Sequence, residues 1–360
     1  MEGSNSIKSS QVYLVIFVAQ TGIGTIMLPS VLAKEVGHDG WISLLITGGL
    51  ILLLNLLIVM LLRRYSDKAI YDINKLIFGK VAGTCFNALL VSYLFATTIG
   101  SASLFNYFIR ITVLPSTPSW ALAPFITLPS FYLVWQGLKP MSRFLFCSLL
   151  NYFIIIILIA FLFRHFRFSF LLPLGEAGIP RILSSIKTSF FAFIGFELIA
   201  FLYPYITNPQ RVLKLYVSAS ITSMIFFILI VISCTAVFGE NLLSILSMPF
   251  YNLSRIYNAP ILERIDLYLI ALWFIPMACS MRNYIFAAYD GLQKVFKLKK
   301  SRVTYTAFFI ILLAISSIPK DFNQVLILIA TINMLGIGVS LFLVLCFLLS
   351  FIRKKGVCTK

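Results

Sequence analysis

Apolar runs of about 20 residues, the length a helix needs to cross the hydrocarbon core of a bilayer, recur along the whole chain. Ten can be drawn: Val12–Ala33, Trp41–Leu62, Val81–Ile109, Trp120–Trp135, Phe144–Phe163, Ile186–Tyr203, Leu215–Phe238, Leu267–Tyr289, Tyr305–Ile318 and Val325–Phe351. The runs at 120–135 and 305–318 are short for a span, while those at 81–109 and 325–351 are long enough to tilt. Only 11% of the residues are charged and 60% are hydrophobic, with a mean hydropathy of +0.98. A soluble domain carries roughly twice that charged fraction. The expectation is therefore an all-α polytopic membrane protein, with residues 1–360 forming one domain in the lipid bilayer.

A formal charge of +17 would suit a nucleic-acid binder if the cations shared one soluble face. They lie instead between the hydrophobic runs, so topology accounts for them and no nucleic-acid partner is expected. Most of the 29 lysines and arginines fall on one side if both termini are cytoplasmic, although the outer connection Arg164–Lys187 runs against that bias. This connection is turn-rich and expected to lie on the surface, whereas the inner 63–80 segment reads as a short helix. Cys85, Cys147, Cys234, Cys279, Cys346 and Cys358 are widely spaced without a C-x-x-C, and the two histidines, His38 and His165, sit at segment ends. No disulfide framework, metal site or cofactor is indicated. The N-terminal run lacks a small-residue cleavage site and is expected to be retained as a helix.

Two of the runs are interrupted. The first contains Thr21-Gly22-Ile23-Gly24-Thr25, with Pro29 just beyond. Two glycines loosen the backbone, and the threonine hydroxyls can replace lost helical hydrogen bonds. Backbone polar groups freed at mid-depth need neighbouring protein or a bound polar ligand. The other account is that glycine merely lets membrane helices pack closely. The sixth run contains Phe193-Ile194-Gly195-Phe196-Glu197. A carboxylate there is costly, so it either faces a cavity or partner or serves as a packing contact near the interface. Breaks in segments one and six of ten suit two five-helix halves, and an odd number of helices per half makes the repeats inverted.

With these motifs in this order, the chain resembles the spore germination permeases, the B subunits of nutrient germinant receptors, within the amino acid/polyamine/organocation transporter superfamily. The resemblance rests on Thr21-Gly22-Ile23-Gly24 followed by Leu28-Pro29, on the outer Leu172-Pro173-Leu174, on Phe193-Ile194-Gly195-Phe196-Glu197 and on the basic tail at Arg353–Lys355. It implies a five-plus-five inverted repeat of LeuT type, with a pocket between helices one and six. It also implies residence in the inner membrane of the spore, A-type and C-type receptor subunits as partners, and a small nutrient such as an amino acid as ligand. Helices three and eight would line the opposite wall. There Tyr93, Thr97 and Ser101 share a face at four-residue spacing, as do Cys279 and Asn283. Helix–helix hydrogen bonding is the plainer role for each of these. Arg282 either faces a carboxylate or snorkels to the inner surface.

In such a pocket, the N–H groups of a half-helix would take an amino acid's carboxylate. Free carbonyls and Glu197 would take the ammonium, and Ile23, Phe193 and Phe196 would select by size. The candidate ligand-binding set is thus Thr21, Gly22, Ile23, Gly24, Thr25, Tyr93, Thr97, Phe193, Gly195, Phe196, Glu197, Cys279 and Asn283. A nutrient-sensing subunit is the leading expectation, and a secondary amino acid permease coupled to protons or sodium the alternative. Neither H-E-x-x-H nor G-x-S-x-G occurs, so an enzyme is not expected.

Overall fold

The computed structural model describes residues 6–66, 68–256, 265–319 and 321–353. Asp67, Pro260, Arg264, Lys320, Lys354, Lys355 and Cys358 lie outside them, as does the side chain of Ile23. Each of the ten apolar runs is helical. The first is split into α1 (Ser9–Ile23) and α2 (Leu28–Val36), and the second is α3 (Gly40–Arg64). The short inner helix read from the 63–80 segment is α4 (Ile70–Phe78). After it come α5 (Lys80–Thr112), α6 (Ser119–Gln136), α7 (Leu138–Phe144) and α8 (Phe146–Leu162). The outer connection contains α9 (Gly178–Ser184). The sixth run then falls into α10 (Ile186–Phe190), a 3-10 turn at Phe191–Phe193, and α11 (Leu198–Leu202). The remainder is α12 (Val212–Ile245), α13 (Pro249–Arg255), α14 (Ile265–Phe296), α15 (Arg302–Ser316) and α16 (Phe322–Ile352). Among the described residues, seven helical stretches are long and apolar enough to cross a membrane.

Local chemistry explains several of the boundaries. Pro29 sits in the first turn of α2, where its missing N–H is not needed, so it starts a helix rather than breaking one. Asp321 caps α16 by accepting from the Gln324 amide at 2.8 Å. The helices turn apolar side chains such as Leu53, Phe125 and Ile327 outward, as a bilayer requires. Polar side chains tie the helices together inside. Ser220 Oγ on α12 accepts from Gln20 of α1 at 3.3 Å and from Asn55 of α3 at 2.8 Å. A short parallel pair, Ile7–Lys8 with Ile206–Thr207, joins the start of α1 to the segment after α11. The two interrupted helices are therefore tied at one end.

The outer connection is strapped down rather than merely lying on the surface. Buried Asp39, at the corner between α2 and α3, accepts from the Gly175 and Ala177 amides, each at 2.9 Å. Beside it, His38 places Nδ1 2.8 Å from Glu240 and Nε2 2.6 Å from the Pro173 carbonyl. A carboxylate and a carbonyl can only accept, so this geometry needs both ring nitrogens protonated. Burial alone would lower the His38 pKa, but these two acceptors and the nearby Asp39 hold it above its ordinary value. Asp39→Ala would strand two amides, at about 1–3 kcal/mol of local stability. Hydrogen exchange at Gly175 and Ala177 is expected to quicken by roughly ten- to a hundredfold, with α12 and α14 unaffected. Unchanged protection of the two amides would show that the strap does not hold the loop.

Candidate functional site

The break in the first span takes in only the second part of Thr21-Gly22-Ile23-Gly24-Thr25 and runs on to Met27. Thr21, Gly22 and Ile23 stay helical, and the chain unwinds at Gly24–Met27. Gly22 serves packing: a Cβ there would stand 2.7 Å from the Pro276 carbonyl oxygen and 2.8 Å from Ser280 Cβ on α14. The threonines behave as their chemistry allows. Thr21 donates to Phe17 O at 2.7 Å and lies 2.5 Å from the Tyr152 hydroxyl, while Thr25 donates to Thr21 O at 2.6 Å. Because the Leu28 amide still reaches Gly24 O at 3.2 Å, the break is one loosened turn.

The sixth span is interrupted more completely, and where the sequence placed it. Ile194 is extended and Gly195 has φ +123°, a conformation that only glycine adopts readily. Glu197 folds back into this gap, 2% exposed. Its Oε1 accepts from the Tyr93 hydroxyl at 2.8 Å and the Tyr284 hydroxyl at 2.9 Å, and its Oε2 from the Gly195 amide at 2.9 Å. Tyr216 donates to Phe196 O at 2.7 Å. Side chains of α5, α12 and α14 thus satisfy polar groups that lipid could not. The two interrupted helices meet closely here. A Cβ on Gly195 would stand 2.9 Å from Ala19 C and Gln20 N, and Ser280 of α14 donates to Ala19 O at 2.9 Å.

Two spaces adjoin this junction. A cleft of about 370 Å³, on the side that the charge bias makes outer, is bounded by Gly24, Met27, Val31, Thr188, Phe191, Ile329 and Asn333. Next to it is a space of only about 10 Å³, lined by Gln20, Thr97, Gly100, Ser101, Ile194 and Ile332. Phe191 and Ile329 border both and form the partition. The smaller space is on the scale of one water molecule. Among the described residues, the Gln20 side-chain oxygen, fully buried beside it, has no hydrogen-bond partner, and neither does the Asn333 oxygen on the larger cleft.

The expected residues are distributed unevenly around these spaces. Thr97 lines the small one and Gly24 the cleft, while Tyr93, Gly195 and Glu197 form the hydrogen-bonded junction. Phe193 and Phe196 do not form a rim: Phe193 packs edge-on against Phe227 at 5.3 Å and Phe196 against Phe190 at 5.8 Å. Cys279 and Asn283 part company, since Cys279 accepts from Arg282 at 3.2 Å whereas Asn283 donates to Val15 O at 3.4 Å. Gln20, Phe191, Tyr284 and Ile329 are the additions that sequence reasoning missed. Tyr284 adjoins Asn283 in the chain and Gln20 is the one amide side chain of the first run, which are the signals that could have found them.

This arrangement of interrupted helices coincides with a family match: a profile described as a spore germination protein covers residues 6–325. The chain belongs to the spore germination permease family. Within that family it is 27% identical to spore germination protein B2 of Bacillus subtilis (strain 168), over 88% of this chain and 87% of the relative. To spore germination protein YndE of the same organism it is 25% identical over 98% of both chains. GerQB of Bacillus cereus is 24% identical over 81% of each. Among solved structures, this permease-family chain aligns with MhsT in complex with L-phenylalanine at a TM-score of 0.59 and 12% identity, covering 92% of this chain and 88% of that one. A sodium-coupled sialic acid symporter in a substrate-bound, outward-open state gives 0.56 at 14%, covering 96% and 75%. These similarities establish the fold, the LeuT-type five-plus-five inverted repeat, in an integral multi-pass membrane protein.

Proposed function

We propose that this chain is the nutrient-binding membrane subunit of a germinant receptor, taking a small nutrient such as an amino acid at the junction of the two interrupted helices. The observation that carries the reading is the orphaned Gln20 oxygen, buried beside Thr97 and Ser101 at the end of the outer cleft. A buried acceptor without a partner is costly, and an ammonium or hydroxyl donor of a ligand would satisfy it. The cleft is the entry, Asn333 a polar point along it, and Phe191 the gate. An amino acid does not fit the small space as it stands, so binding requires Phe191 to swing away from Gly24. Membership of the family supports the receptor role, with A-type and C-type subunits in the spore inner membrane as partners. A secondary amino acid permease remains the second reading, favoured by the likeness to transporters. Uptake of labelled amino acid by the protein alone in liposomes would select it.

Phe191→Ala tests the site. Joining the two spaces is expected to lower the nutrient concentration for half-maximal germination by about three- to tenfold, or to admit larger side chains, with unchanged membrane abundance. The sign follows because opening the gate no longer subtracts from binding. A dose–response curve and nutrient range identical to wild type would place the site elsewhere.

A further inference from the structure

Arg282 is a buried cation without a counter-charge. It is 5% exposed, about midway along the 32-residue α14. Its Nε donates to Ala278 O at 2.9 Å and Nη2 to Cys279 Sγ at 3.2 Å, and the guanidinium lies 4.5 Å from the centre of the Phe144 ring. Among the described residues it makes no ion pair, and Nη1 makes no hydrogen bond. The first of the two sequence expectations is therefore not met: among the described residues no acid pairs with it. A guanidinium without a counter-charge in so apolar a setting is unfavourable, so something anionic nearby would be strongly favoured.

A cleft of about 650 Å³ opens beside it between α5, α6 and α14, with Phe105, Ile109, Leu122, Ile126, Phe274 and Ala278 among its walls. That volume is within the range of small-molecule sites. Phe125 and Tyr132 on its rim are exposed on the lipid-facing surface. The Ser130 hydroxyl also lines the cleft, buried and, among the described residues, without a hydrogen-bond partner. An apolar chamber holding an unmatched guanidinium and an unmatched hydroxyl has the chemistry of an acid with an apolar tail.

We propose that this cleft binds an alkyl monocarboxylate drawn from the membrane. Its carboxylate sits on Arg282, for which a guanidinium offers a two-point match, and its chain runs along the Phe105 and Phe274 wall. A phospholipid is the poorer fit because its headgroup belongs at the interface, whereas Arg282 lies about midway along α14. The site is separate from the cleft at Gly24 and Phe191, on other residues.

The test uses the full-length protein in phosphatidylcholine nanodiscs and a photoreactive diazirine analogue of decanoic acid. Labelling is expected on α5, α6 and α14, with decanoate displacing it at least tenfold more effectively than decanol. Arg282→Gln should weaken that displacement at least tenfold. Ala278→Phe, which fills the cleft and leaves the charge, should block labelling and keeps the test alive if the first variant unfolds. Equal displacement by decanoate and decanol, or displacement by phosphatidylglycerol but not decanoate, would overturn the proposal.

Discussion

Alanine at position 195 is expected to leave little folded protein in the membrane. At φ +123° an L-residue is strained by about 1–3 kcal/mol. Its Cβ would also stand 2.9 Å from Ala19 C and Gln20 N, which are backbone atoms of α1 that cannot rotate aside. Relief would push α1 off the sixth span and break the 2.9 Å bond from Ser280 to Ala19 O. Overpacking of this kind adds about 1–3 kcal/mol more, a large part of the roughly 5–15 kcal/mol a native fold has to lose. Gly24→Ala makes the informative contrast. Gly24 is right-handed at φ −86°, and its new Cβ would crowd the Phe191 ring at 3.2 Å while touching Ala192 Cα at an ordinary 3.6 Å. That variant should accumulate normally while altering the nutrient response, because it touches the gate. Immunoblots of membranes and size-exclusion profiles after heating separate the two. Wild-type abundance and response from Gly195→Ala would show that the close approach of helices one and six is dispensable.

What the sequence disclosed and what it hid divide along a physical line. The ten helices were legible because an apolar run of bilayer length needs no tertiary knowledge to be read. The interruption at Gly195 was legible too, since a glycine two residues before a carboxylate has few explanations inside lipid. Gly22 and Gly24 look alike in the chain, yet Gly22 answers to Pro276 on α14 and stays helical. Only contacts between distant segments decide that. Phe190, Phe191, Phe193 and Phe196 are likewise equivalent as letters. The 3-10 turn at Phe191–Phe193 sets Phe191 between the two spaces and leaves Phe193 against Phe227 of α12, so the partition falls to a residue that no periodicity marks. Arg282 shows the same limit. Its charge was visible, but the absence of a matching acid among the described residues is a property of the packing.

Removing the carboxylate at position 197 should cost more than removing its charge. Glu197→Leu would leave the Tyr93 and Tyr284 hydroxyls and the Gly195 amide without their acceptor in a dry interior. At about 1–3 kcal/mol for each stranded donor, the loss is several kcal/mol and should deplete the protein from the membrane. Adding Tyr93→Phe and Tyr284→Phe to the same chain removes two of the three stranded donors and should restore much of the abundance. Glu197→Gln keeps the volume and one accepting oxygen, enough for the Gly195 amide or the tyrosine hydroxyls but not for both, so it should accumulate at a level between Glu197→Leu and the wild type. Its effect on the response reports a different quantity. A carboxylate has about four lone-pair positions and three are taken here, which leaves one for the ammonium of a ligand. If that ammonium arrives, losing the charge weakens apparent affinity by roughly 2–4 kcal/mol, tens to hundreds of times more nutrient at half-maximal germination. We expect that shift in the nutrient concentration at half-maximal germination, read against membrane abundance. A Glu197→Gln curve that overlays the wild type would leave Glu197 as a brace for the interrupted helix and move the ammonium to Gln20.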